Sequence, residues 1–289
     1  MATYREWVLI YNQLPSSLLD RVANSFQNST AFAQAIVQYR FSDLADLTGL
    51  ERMTTNTNDR FQGNGVTVAE TVDQVIRDRK TAKLLLDPAE RTERTTLWSE
   101  QHGRELQQMI EAAGHAPYHR RVDPDILQSL SLGSAVPWRF HILESPAVSQ
   151  LLEHLKLQSE TASDPLWQKA WGTKIPSLLA ACGALVQVTW FAESSELNKI
   201  NIEHVAAASA ATQNLLLCAE ARNWHSYWSS GGVLGSSVIF QHLGISDKER
   251  LLGSIFLTPP EFPETERKAG ALHDQRGGTN TWSRQVQLS

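Results

Sequence analysis

Ala211-Thr212-Gln213-Asn214-Leu215-Leu216-Leu217-Cys218-Ala219-Glu220, followed after three residues by Trp224-His225-Ser226-Tyr227-Trp228-Ser229-Ser230-Gly231, decides how the rest of the sequence is read. The first half belongs to a helix expected over Glu203 to Trp224. Ala207, Ala210, Ala211, Asn214, Leu215, Leu217 and Cys218 spread apolar side chains over much of its circumference. Such a helix belongs inside a core or at a subunit interface, since a helix lying on water keeps one polar face. The second half ends in small and hydroxyl residues, so the backbone at Ser229, Ser230 and Gly231 is open to close approach.

Outward from this stretch, three short runs read as strands: Trp138 to Leu143, Ala184 to Ala192 and Arg250 to Leu257. Each is rich in β-branched or aromatic residues and bounded by Pro, Gly or Ser. Gly103 to Gly114 repeats Leu106, Met109, Ile110 and Ala113 at helical spacing, and Ala116-Pro117 ends the pattern. Another helix is expected from about Val68, where Thr67-Val68-Ala69-Glu70 has capping-box spacing and Val68, Val72, Val75 and Ile76 form an apolar face. Helices separate from a small, mostly antiparallel sheet make the class α+β. Residues 1 to about 53 carry two short apolar faces, Leu18/Leu19/Val22/Phe26 and Phe32/Ile36/Tyr39. The polar run Thr54 to Asp59 and Gly63-Asn64-Gly65 reads as a linker. The expected division is a helical extension with linker over 1–66 and a main domain over 67–289.

A formal net charge of -5 over 289 residues gives no global attraction to polyanions, which argues against nucleic acid as a partner. The start carries Arg5 and Glu6 among its apolar residues and lacks the pattern of a secretory signal. Leu178 to Ala192, the most apolar long stretch, is interrupted and too short to span a bilayer. A cytoplasmic chain with no membrane partner is expected. Cys182 and Cys218 stand in Ala-rich surroundings and read as buried free thiols. No nucleophile elbow or glycine-rich nucleotide loop is present and the two cysteines stand far apart in sequence; no metal is expected.

Four pieces in order resemble the nitroreductase family. Ile76-Arg77-Asp78-Arg79-Lys80-Thr81-Ala82-Lys83 resembles its opening basic-hydroxyl signature. Met109 to His119, with Ala116-Pro117, and then Pro137-Trp138-Arg139-Phe140 resemble its helix ending in Ala-Pro and its Pro-Trp strand entry. The quoted stretch resembles its interior helix and Trp-(Arg/Ser)-Ser-Gly segment. Leu243-Gly244 through Ile255-Phe256-Leu257 resembles its final strand. The match runs from about Val68 to Lys268. It departs from the family between His119 and Pro137, where seventeen residues intervene, and at Val136, where Gln is usual.

The resemblance implies a nitroreductase-like fold, bound FMN and a homodimer with two flavins at its interface. On the matching positions it implies cofactor contacts from Arg79, Lys80, Thr81 and Lys83, from His115 and His119, and from Trp228, Ser229, Ser230 and Gly231. Arg267 and Lys268 stand where basic residues complete the phosphate site. The chemistry is consistent: Arg forks onto a phosphate dianion, a hydroxyl completes its shell, and backbone donors reach a flat ring edge past small residues. The implied activity is reduction of a nitroaromatic, quinone or conjugated acceptor by NAD(P)H. Oxidation of a biosynthetic intermediate and a non-catalytic flavin or partner-binding module stay open, because fold alone does not assign chemistry. No catalytic residue is assigned.

Overall fold

A computed structural model describes residues 67–128, 133–193, 198–262, 266–270, 272 and 275–287. The apolar faces expected between Leu18 and Tyr39 and the linker at 54–65 lie outside the described residues. Ala69–Ser289 forms one compact unit. Its elements are α1 (Val68–Asp78), β1 (Ala82–Leu85), α2 (Arg91–Leu97), α3 (Glu100–Ala113), α4 (Pro124–Leu127), β2 (Trp138–Leu143), α5 (Ser145–Thr161), α6 (Pro165–Trp171), α7 (Ile175–Ala181), β3 (Ala184–Phe191), α8 (Lys199–Glu220), β4 (His225–Ser229), α9 (Ser237–His242), β5 (Glu249–Thr258) and β6 (Glu266–Ala269). The class is α+β, as the sequence pattern indicates.

The central sheet runs β2-β3-β5-β4 and is antiparallel throughout, and β1 pairs with β6 in a separate antiparallel ribbon. Directly opposed residues share a face, so the register sorts side chains into rows. On one face Leu143, Leu185, Phe256 and Tyr227 form a row across all four strands. This row joins the core made with α5 and α7, which includes Leu151, Leu155, Leu179 and Ile239. On the opposite face Val186, Val188, Ile255 and Leu257 pack against Leu106 and Met109 of α3 and Leu215 and Ala219 of α8. A central strand buried on both faces reads as a nearly continuous apolar run, and β3 does so.

Helix ends follow local chemistry that a periodicity reading misses. α3 begins three residues before Gly103, because Ser99 caps it and His102 Nδ1 accepts the Ser99 backbone N–H at 3.1 Å. α8 begins at Lys199 because the Asn198 side chain accepts the Asn201 N–H at 2.8 Å. It ends at Glu220 rather than Trp224. Asn223 takes a left-handed φ of 58°, and the Trp224 N–H reaches back to the Ala219 carbonyl at 2.9 Å. The face expected to be buried on α1 is corrected. Val68, Val72 and Ile76 are 39%, 49% and 48% exposed, and only Val75 is partly covered. Of the two thiols expected to be buried, Cys182 is buried and Cys218, packed at the margin of the core that α8 forms with the sheet, only partly so.

Candidate functional site

The basic-hydroxyl cluster forms at the junction of α1 and β1. Arg79 follows the last helical residue, with its N–H bonded to the Val75 carbonyl at 3.0 Å, and is half-buried. Lys80 is exposed. Thr81 is half-buried and lies against the backbone after β6, where a Cβ added to Gly270 would stand 3.1 Å from Thr81 Cβ. Lys83 places its Nζ 4.8 Å from the centre of the Tyr227 ring. That contact ties β1 to β4, the strand that leads to Trp228, Ser229 and Gly231.

The β1–β6 ribbon adds the last predicted pair. Its register sets Lys268 opposite Lys83 and Arg267 opposite Leu84. Residues about 185 positions apart in sequence therefore meet in one short ribbon beside β4. Sequence reading did not find this ribbon. Each strand has four residues, three of the four in β6 are charged, and neither carries an alternating apolar pattern long enough to read.

The Trp-Ser-Ser-Gly segment is the end of a strand and the turn that follows. Trp228 lies across β5, where Gly253 leaves room: a Cβ there would stand 2.1 Å from Trp228 Nε1. Ser229 Oγ accepts the Gly231 N–H at 3.2 Å. Ser230 is exposed. Gly231 and Gly232 take φ of 86° and 53°, and the chain makes one 3-10 turn over Gly232–Gly235 before α9. A side chain at Gly231 is excluded twice. Its φ is left-handed, and its Cβ would stand 2.4 Å from Leu251 Cδ2. A Cβ at Gly232 would meet nothing within 4 Å, so that side of the turn is open.

His115 and His119 are both exposed, in the segment after α3. This segment is anchored by Ala116, buried against Trp138, Ala207, Ala208 and Ala211, and by Arg120 Nε, 3.3 Å from Glu203 Oε2. It therefore lies along β2 and the N-terminal half of α8. No described contact joins either histidine to the basic ribbon or to β4. The structure thus sets the 82–85 and 266–269 backbones side by side, with Thr81 against Gly270 and Lys83 against Tyr227 of β4, and leaves the histidines elsewhere on this chain.

Lys80 also lines a cleft with Asp78, Ala82, Glu220, Asn223, Trp224 and His225. Its volume is about 170 Å³, below the range of roughly 300–1,000 Å³ that holds a cofactor-sized ligand. It has both signs of charge and is not a flavin pocket.

No family model matches the chain, and no curated protein matches it. The chain is similar in fold to solved nitroreductases. A nitroreductase-like family protein from Bacillus cereus is 19% identical, with 71% of this chain and 94% of that chain covered and a TM-score of 0.46. The FMN-dependent nitroreductase of Mycobacterium smegmatis, solved in complex with NADPH, is 14% identical over 76% of this chain and 99% of that one, with a TM-score of 0.48. A nitroreductase from Desulfitobacterium hafniense with bound FMN is 12% identical over 75% and 98%, with a TM-score of 0.44.

A polar cluster that sequence reading missed occupies the other end of the sheet. His141 Nε2 donates to Glu249 Oε2 at 2.7 Å, and Thr189 Oγ1 donates to the same oxygen. Burial alone would push the Glu249 pKa up. The hydrogen bonds from His141 and Thr189, with the charges of His141 and Arg139, outweigh it and hold the group below its ordinary value. Arg139 is buried beside them and ties the incoming loop to the sheet through the Val136 carbonyl at 2.8 Å and the Trp138 carbonyl at 2.7 Å. These residues are scattered in sequence, and only the register of β2, β3 and β5 assembles them. Among the described residues no cluster suited to a metal ion occurs, and no helix is long and apolar enough to cross a membrane.

Proposed function

We propose that this chain is an FMN-dependent oxidoreductase that passes reducing equivalents from NAD(P)H to a nitroaromatic, quinone or conjugated acceptor. One observation carries the reading: the β1–β6 ribbon, which follows Arg79 and Lys80 on the chain, sets Lys268 opposite Lys83 and Arg267 opposite Leu84, and Lys83 meets Tyr227 of β4, the strand that runs into the Ser229–Gly231 turn. The pairing sets two lysine positions opposite one another in the ribbon, a concentration of positive charge that suits an anion. A phosphate dianion suits this charge, and the Thr81 hydroxyl would complete its shell.

In this reading Arg79 forks onto the phosphate while Lys80, Lys83, Arg267 and Lys268 supply charge. Ser229, Ser230 and Gly231 offer backbone donors to the ring edge, and Trp228 gives the segment an apolar support. The bound flavin would supply the hydride chemistry, and the protein would supply position, electrostatics and access. His115 and His119 would reach a flavin from the second subunit of a homodimer, since on their own chain they lie along β2 and α8. Residues 1–66 are read as an extension to a flavin domain over 67–289.

The test is the absorbance spectrum of the purified protein, followed by anaerobic titration with NADH and NADPH. A yellow protein that releases FMN on denaturation and is bleached rapidly by a nicotinamide supports the proposal. A colourless protein that takes up no added FMN in calorimetry refutes it. Bleaching only by an organic donor would move the reading to an oxidase or dehydrogenase.

A further inference from the structure

We infer that Gln187 is a positioning residue that holds the Gly231–Gly235 turn in its ligand-ready shape, an inference that rests on the flavin reading of that turn. Gln187 is fully buried in the middle of β3, among Leu185, Val186 and Val188, which are also fully buried. An amide in such a place is costly unless both of its ends are bonded. Both are. Oε1 accepts from Ser254 Oγ, and Nε2 donates to the Leu234 carbonyl at 3.4 Å.

The register explains why the turn is the target. His141, Gln187, Ser254 and Ser229 are opposed in sequence across β2, β3, β5 and β4, so they form a polar row beside the apolar row of Leu143, Leu185, Phe256 and Tyr227. Ser229, at the end of the row, accepts the Gly231 N–H, and the added-Cβ position of Gly231 lies 2.8 Å from Ser254 Oγ. The turn therefore rests on the polar row at both its first residue and its Leu234 carbonyl. Within the turn the Leu234 N–H reaches the Gly231 carbonyl at 3.0 Å, and the Ser236 N–H reaches the Val233 carbonyl at 2.9 Å. Two adjacent left-handed glycines have many alternative conformations, and anchoring from the sheet restricts them before a ligand arrives. Leucine would fill the interior at position 187 equally well but would leave the Leu234 carbonyl and the Ser254 hydroxyl without these partners.

Full-length Gln187→Leu and Gln187→Glu decide the matter, with FMN affinity read by fluorescence quenching, amide exchange read over residues 231–236, and global stability read in urea. The expected result for Gln187→Leu is FMN binding weaker by about tenfold or more, with faster exchange at Leu234 and Ser236 while β3 and β5 stay protected. Gln187→Glu keeps an acceptor for Ser254 and, at a pH that ionises the introduced carboxyl, has no donor for Leu234, so faster exchange should set in as the pH is raised. Unchanged FMN affinity and unchanged turn exchange, with or without a loss of urea stability, would make Gln187 a packing residue and overturn the inference. If Gln187→Leu does not fold, Ser254→Ala serves in its place with the same expected and overturning outcomes. If the wild-type protein binds no FMN, the flavin reading fails by itself, and turn exchange still shows whether Gln187 holds the turn.

Discussion

Arg79 is the residue on which the phosphate assignment is most directly testable, because it is half-buried and its planar guanidinium can fork onto a phosphate. Arg79→Ala should weaken FMN binding by roughly 1.5–3 kcal/mol, the range for a hydrogen bond to a charged group. Calorimetry showing unchanged affinity would place the phosphate elsewhere. At the far end of the sheet, Glu249 makes a prediction about stability. Its pKa is lowered in the folded state, so its contribution is complete above its unfolded value near 4.5 and is lost as pH falls through the lower, folded value. Glu249→Gln should therefore lower the melting temperature clearly at pH 7, and the gap from wild type should close below about pH 4. A gap that does not change with pH would mean that packing rather than charge is at work. Arg79 was legible in the sequence because it sits in a local motif. Glu249 was not, because its partners His141 and Thr189 come from two other strands and no spacing along the chain announces them.

Among the elements, legibility followed the strength of the repeating pattern. β2 is found at the expected residues, and β3 and β5 differ from expectation by a residue at their ends, because their apolar or alternating runs are long enough to read. β4 was read as a ligand-side segment, and its pairing with β5 depends on Gly253 making room for Trp228. The docking of α9 was also invisible. His242 of α9 stacks on His154 of α5 with ring centres 3.8 Å apart and planes 13° from parallel, and Trp167 meets His154 edge-on. Burial, followed by the charge of His242, lowers the pKa of His154 below 6.5. The folded state thus prefers the neutral ring, while the unfolded chain takes up a proton near pH 6.5. Sign and window follow: this contribution is complete above pH 6.5 and declines as the pH drops below it. His242→Gln should reduce the loss of melting temperature between about pH 7 and pH 5.5, which a thermal scan at several pH values would read directly. An identical decline in the variant would show that the stacked pair does not contribute to it.

At the scale of the whole molecule, several large apolar side chains among the described residues stay exposed. Val68, Val72 and Ile76 line one side of α1 at spacings of four, and Ile202 of α8 is 53% exposed. Near the C-terminus Leu272, Trp282 and Val286 are 76%, 67% and 68% exposed. Single exposed apolar residues are ordinary, but a stripe along one side of a helix is a reason to expect a second surface. The positions of His115 and His119 give an independent reason, because they lie away from the basic ribbon of their own chain. A symmetric dimer would cover apolar surface and bring one chain's histidines toward the other chain's ribbon in a single arrangement. The expected result is a dimer in sedimentation at micromolar concentration. Val72→Glu with Ile76→Glu should shift it toward monomer if the α1 stripe is at the interface, and FMN content should fall with the dimer fraction if the site is shared. A wild-type monomer that retains flavin would contradict the shared site, and a charged α1 that remains dimeric would locate the interface on another face.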